Sequence, residues 1–223
     1  MNSRFLPRTL LVLAALPGAI EPASAQGGPS DKPGGGLTRA DRVEATYRGG
    51  LVSPPLAKPD FALTDTSGAR FDLRKQTQGF ITLLFFGYAN CPDMCPTQML
   101  VVARALKSTP PEVAKQFRVV FVTTDPERDT PAALRAWLDH FDKGFVGLTG
   151  TQQEIDAAQI AANLAPAKKT PMLPNGGYAV GHAAFILAYT RDNLAHVLYP
   201  VGIKTQDWIH DLPYLAGETW TKP

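Results

Sequence analysis

No charge of one sign dominates this sequence. Its 223 residues carry 22 Lys and Arg against 20 Asp and Glu, a formal net charge of +2. That near-balance gives no footprint for nucleic acid or for an acidic membrane surface. Long apolar runs are missing too. A membrane-crossing helix needs about 20 apolar residues. The best stretch, Leu10 to Ile20, is shorter and is broken by Pro17. No internal repeat recurs along the chain. Cysteine is scarce, with two in all, so at most one disulfide can form within the chain.

What is present at the N-terminus has a plan. Arg4 and Arg8 precede the apolar run, and Ala23-Ser24-Ala25 follows it. Residues 1–25 therefore read as a secretory signal peptide, with an uncleaved N-terminal anchor as the alternative. No cysteine follows the run, so a lipid anchor is not expected. The expected location is the bacterial periplasm or an equivalent extracytoplasmic space, with the protein soluble or tethered at its N-terminus. Removing the segment takes away two Arg and one Glu and leaves 198 residues with a charge of +1, enough for one domain with a sizeable core. Gln26 to Gly36 is rich in Gly and Pro. Residues 26–50 read as a flexible linker, with a short helix over Thr38 to Arg48, and residues 51–223 as the domain.

Within that domain, "LVSPPLAKP" enters as an extended stretch, because each residue before a proline is pushed out of the helical region. "DFALTDTSGARFDL" reads as a hairpin turning at Ser67-Gly68. "FITLLFFGY" is a continuous apolar run, as expected of a strand buried on both faces. A helix is expected after Pro96, burying Met99, Val102, Ala103 and Leu106. "FRVVFVTTD" is a second buried strand. Thr130 caps a helix that opens with Pro131, "FVGLTG" is a short strand, and Thr151 and Glu154 stand at capping-box spacing. A long Pro/Lys/Gly loop over 165–177 precedes the hairpin "AAFILAY…LAHVLYP", and Asp207 to Ala216 closes the chain as a helix. Strands alternating with helices imply an α/β layered sheet. An entering hairpin, a β-α-β-α core and a closing β-β-α outline a thioredoxin-like fold.

Both cysteines lie in "FFGYANCPDMCPTQM", as Cys91 and Cys95. A disulfide between them would staple little, since a loop of about five residues is worth only ~2 kcal/mol. Residues four apart share one face of a helical turn. Thiolates at a helix N-terminus are stabilised by free amide groups and by the dipole. Redox exchange and soft-metal binding both use such thiolates, but three intervening residues are one more than the usual exchange motif has and leave room for a cation. A third ligand must then come from elsewhere. Of the four histidines, His140 and His210 fall on helices and His196 within a strand, positions that suit structural or solvent roles. His182 stands just before a buried strand, where a thioredoxin-like sheet would face it to the cysteine helix. Two sulfurs and an imidazole suit copper, and zinc can use the same set.

At "FFGYANCPDMCP", "VVFVTTDPERDTP" and "YAVGHAAFIL", over roughly Leu51 to Leu215, the sequence resembles the Sco/SenC family of copper-binding thioredoxin-like proteins. The resemblance implies a metallochaperone that binds one copper, as Cu(I) or Cu(II), through Cys91, Cys95 and His182. It implies a role in assembling the dinuclear copper site of cytochrome c oxidase. Its partners would be the oxidase subunit carrying that site, other periplasmic copper chaperones, and a thiol reductant. Asp125 becomes a candidate for supporting the ligands or contacting a partner, beside its plain reading as a turn former at a strand end. Asp129 reads as a helix-start acid. The chain departs from the family in having Ala89-Asn90 before the first cysteine, and Gly181 where the family usually has an Asp, a carboxylate that would orient the imidazole or supply charge near the metal. Met94 and Met172 are placed for packing or exposure rather than for ligation. The alternative function is a thiol–disulfide oxidoreductase acting on a target copper site. In that case Cys91, the more exposed, attacks and Cys95 resolves.

Overall fold

A computed structural model of the chain describes residues 46–171 and 177–218. All of these belong to one compact unit that begins at Leu37. The segments read as signal peptide and linker up to residue 45, and Met172, lie outside the described residues.

The centre is an eight-stranded sheet of order β1-β10-β9-β4-β5-β6-β2-β3. β4 (Ile81–Gly87) is buried at every position, as its unbroken apolar sequence requires. It pairs in parallel with β5 (Phe117–Thr123), and β5 pairs in parallel with β6 (Val146–Thr149). On its other side β4 meets β9 (Phe185–Tyr189) antiparallel, and β10 (Leu194–Pro200) and β1 (Gly50–Ala57) follow as an antiparallel edge. The prolines of β1 fall where its register with β10 slips, between Leu51 and Leu56, consistent with the confinement of strand prolines to edges and bulges. The expected entering hairpin is β2 (Ala62–Asp65) with β3 (Arg70–Asp72). Gly68 takes a φ of +88° in its turn, a conformation that suits Gly. The thioredoxin-like outline read from the sequence is the architecture seen.

Period-2 alternation along the buried strands splits the core in two. Leu83 and Phe85 join Val102, Leu134, Trp208 and Leu212 on one face. Leu84 and Phe86 join Leu73, Val120, Tyr189 and Ala158 on the other. Helices cover both faces: α1 (Leu73–Gln76), α2 (Met94–Ser108), α3 (Pro111–Ala114), α4 (Pro131–Asp139), α5 (Gln152–Ala161) and α6 (Thr205–Gly217). The Thr130 cap and the Thr151–Glu154 capping box form as expected.

Three differences from the sequence reading stand out. Helix α2 begins at Met94 rather than after Pro96, so Cys95 sits inside the first turn. The long loop contains a short strand, β7 (Lys168–Lys169), paired with β8 (Val180–Gly181) just beyond it. Packing also starts upstream of Leu51. Tyr47 is in the core, and the amides of Arg48 and Gly49 donate to the buried Asp211 carboxylate of α6. Among the described residues no helix is long and apolar enough to cross a membrane.

Candidate metal centre

The site forms at the carboxyl ends of the parallel strands, the usual crevice of open α/β sheets. β4 ends at Gly87, and the chain turns through Ala89 and Asn90 to Cys91, whose amide donates to the Tyr88 carbonyl. Because β9 runs antiparallel to β4, the segment entering β9 arrives at this same end and brings His182 with it.

Cys95 Sγ and His182 Nε2 stand 3.5 Å apart. Two bonds of about 2.0–2.3 Å to a shared ion can span that separation. The His182 Nδ1 lies 3.0 Å from the Ala183 carbonyl. A carbonyl only accepts, so Nδ1 carries the proton and the Nε2 lone pair faces the sulfur. Ala183 thus fills the orienting role that a carboxylate at position 181 would play. Phe85 and Tyr88 set their rings edge-on to the imidazole, at 5.9 and 5.7 Å between centroids. Gly87 makes the sulfur's place: a Cβ there would lie 3.0 Å from Cys95 Sγ and 2.8 Å from the Phe85 ring.

Cys91 Sγ accepts from the Cys95 amide at 3.4 Å. Both cysteines are free thiols. Among the described residues no three His, Cys, Asp or Glu side chains are gathered closely enough to hold a metal as they stand. The structure therefore brings Cys95 and His182 together, with Cys91 next to them and turned toward the amides of the helix start. The donor types fit a soft cation. Completing the set requires the Cys91 side chain to swing toward the pair.

The two thiols differ electrostatically. Burial raises the Cys91 pKa, but hydrogen bonds from the amides of Cys95, Asp93 and Met94 outweigh it and leave the group below its ordinary value. This is the helix-start effect expected from the sequence. Burial, then the Cys91 side chain, pushes Cys95 well up. Burial lowers His182, against its backbone partners at Ala183 and Phe86. The centre thus offers a thiolate-prone sulfur, a protonated thiol and a neutral imidazole. Cys91 is the more exposed of the two thiols, as expected, at 6% against 0% for Cys95. Its lowered pKa comes from these amides rather than from exposure.

The "DPERDTP" segment lies beside both the cysteine stretch and the segment before His182. The buried Asp125 accepts from the Tyr178 hydroxyl at 2.9 Å and pairs with Arg128. These contacts hold the segment before His182 rather than the imidazole itself. Asp129 is more than a helix-start acid. It is fully buried, and its Oδ2 accepts from the Ala89 amide at 2.9 Å and the Thr123 hydroxyl at 2.6 Å. Burial raises its pKa, against those hydrogen bonds, and its charge contributes to the upward shift of Cys95. The sequence shows only an acid four residues after another, just before Thr130-Pro131, which does not separate this role from a helix start.

The other histidines take the places expected. His140 is exposed against the Trp137 carbonyl, His196 pairs with Asp192, and His210 meets Asp211. Met94 points outward, 41% exposed.

A family model described as SCO1/SenC matches residues 52–216. A putative copper-binding protein of Stutzerimonas stutzeri is 35% identical over 60% of this chain and 64% of its own length. The mitochondrial protein SCO1 of Saccharomyces cerevisiae is 32% identical over 64% of this chain and 48% of its own. The chain thus spans less than two thirds of the length of these curated relatives. Among solved structures, copper-bound ScoI of Bradyrhizobium japonicum aligns with a TM-score of 0.63 and 32% identity, covering 72% of this chain and 99% of that one. Apo Sco1 of Thermus thermophilus aligns with a TM-score of 0.67 and 31% identity, covering 76% and 97%.

Proposed function

Because this chain belongs to the SCO1/SenC family, we propose that it is a copper metallochaperone that carries one ion on Cys91, Cys95 and His182. The observation that carries the reading is the pairing of Cys95 Sγ with the unprotonated nitrogen of His182. A dithiol exchange enzyme has no need of that imidazole. Copper here is cargo, and the three side chains do the work. The Cys91 thiolate meets the ion first, Cys95 gives up its proton as it binds, and His182 supplies a neutral nitrogen. Loading therefore releases protons and weakens in acid. Unloading proceeds by ligand exchange with the recipient. The destination that the family resemblance supports is the dinuclear copper site of cytochrome c oxidase, reached in the periplasm or an equivalent space.

A second reading has its own observation, the opposite displacement of the two thiols. The Cys91 thiolate would attack a target disulfide, forming a mixed disulfide and expelling one target thiolate. Cys95, after losing its proton, would attack Cys91 and expel the second. The target ends reduced by two electrons and this chain ends with a Cys91–Cys95 disulfide. A thiol reductant must then restore the pair.

Anaerobic copper titration of the reduced protein separates the readings. We expect one equivalent of tightly held Cu(I) in the wild type, none in the Cys91→Ser/Cys95→Ser variant, and none after mild oxidation to the disulfide. Unaltered stoichiometry in the double variant would sink the chaperone reading. Tight Cu(I) binding in neither form, with rapid reduction of a peptide disulfide, would favour the second.

A further inference from the structure

The sulfur and nitrogen donors sit on two different segments, the stretch from the turn after β4 into the first turn of α2 and the residues that follow β8. One short turn between β5 and α4 holds both. From it, Asp129 takes the Ala89 amide, two residues before Cys91. At its other end Asp125 takes the Tyr178 hydroxyl, four residues before His182. Arg128 lies between. Its Nη1 donates to the Tyr178 carbonyl at 3.1 Å, and it pairs with Asp125. Its guanidinium rests 3.8 Å from the Tyr178 ring centre and 5.7 Å from that of Tyr88, the ring edge-on to His182. Lys169 covers the outer side of Tyr178 and pairs with Glu127.

Resting on the copper reading above, we propose that the turn Asp125–Asp129 is a jig that sets the distance between the two donor-bearing segments, with Arg128 and Tyr178 as positioning residues for His182. The arrangement is stiff for a physical reason. Asp125 is fully buried, so withdrawing either partner leaves a poorly compensated carboxylate in the interior. A planar guanidinium reaches a carboxylate and a carbonyl while stacking on an aromatic ring, which an ammonium cannot do. The consequence falls unequally on the two copper states. Cu(I) is held chiefly by thiolates, whereas Cu(II) leans on the imidazole. The jig therefore governs Cu(II) retention more than Cu(I) loading.

The test is Tyr178→Phe, which keeps the ring over Arg128 and removes only the hydroxyl, beside Arg128→Lys, which keeps the charge and loses the fork. In a wild type that binds copper, both variants should lose ~10- to 100-fold in Cu(II) affinity, the range typical of partners that orient a ligand, with Cu(I) affinity unchanged. In reduced, copper-free protein the His182 ring-proton resonance should be single and sharp in the wild type, and shifted, broadened or doubled in the variants. A merely structural role would lower the melting temperature without moving that resonance or the Cu(II)-to-Cu(I) ratio, and would overturn the proposal. A wild type that binds no copper through these residues would end the chaperone reading, while the resonance would still decide the jig.

Discussion

Gly87 shows how much one side chain can cost this site. It ends β4 with its Cα facing the Cys95 sulfur, and an added methyl would crowd that sulfur and the rings of Phe85 and Phe121, all within 3.1 Å. Overpacking of a buried site costs ~1–3 kcal/mol, and here the atom displaced is also a proposed copper donor. Gly87→Ala should lower the urea midpoint at unchanged slope and weaken Cu(I) binding in the same variant. A loss of stability with intact copper affinity would mean that the rings yield and the sulfur does not. At the same scale, His182 was legible because it stood alone just before an apolar strand. Asp129 was not, because an acid before Thr130-Pro131 reads equally well as a helix start. Only the long-range contact with Ala89 distinguishes the two. Tyr178 carried no local signal either, since its partner lies 53 positions away.

At the scale of elements, apolar runs, caps and turns were readable because their causes are local. The unbroken run of β4, the Thr151–Glu154 box and the Ser67-Gly68 turn each follow from a few neighbouring residues. Contacts between elements were hidden. Lys58, just after β1, sits in the extended entry stretch with no sequence sign of burial. Instead it is fully buried and donates to Thr82 Oγ1 at 3.0 Å and Thr77 Oγ1 at 3.3 Å. Burial, then nearby Arg74, lowers its pKa to about 8 from 10.5. Below pH 8 both the folded and unfolded chains carry the proton, and the penalty for burying the charge is constant. Between about 8 and 10.5 the folded chain sheds the proton while the unfolded chain keeps it, so stability rises with pH across that window. Urea midpoints taken at pH 7.5 and 9.5 should show this rise in the wild type relative to Lys58→Met, which lacks the titrating group. Parallel pH dependence in the two proteins would place the charge in solvent.

For the whole molecule, the fold delivers chemistry by topology. Parallel β4 and β5 put the cysteine loop and the Asp125–Asp129 turn at one end of the sheet. Antiparallel β9 returns the chain to that end with His182. The sequence order of the motifs carried this arrangement, but the β7–β8 pairing that holds the histidine arm lay hidden in a stretch that reads as loop. In the proposed function both cysteines and this histidine bind the same ion. X-ray absorption of the reduced protein loaded with one equivalent of copper tests it most directly. We expect a shell of two sulfurs and one imidazole nitrogen, with the imidazole signature lost in His182→Ala and the sulfurs retained. A shell of nitrogen and oxygen alone, or one that His182→Ala leaves unchanged, would contradict it.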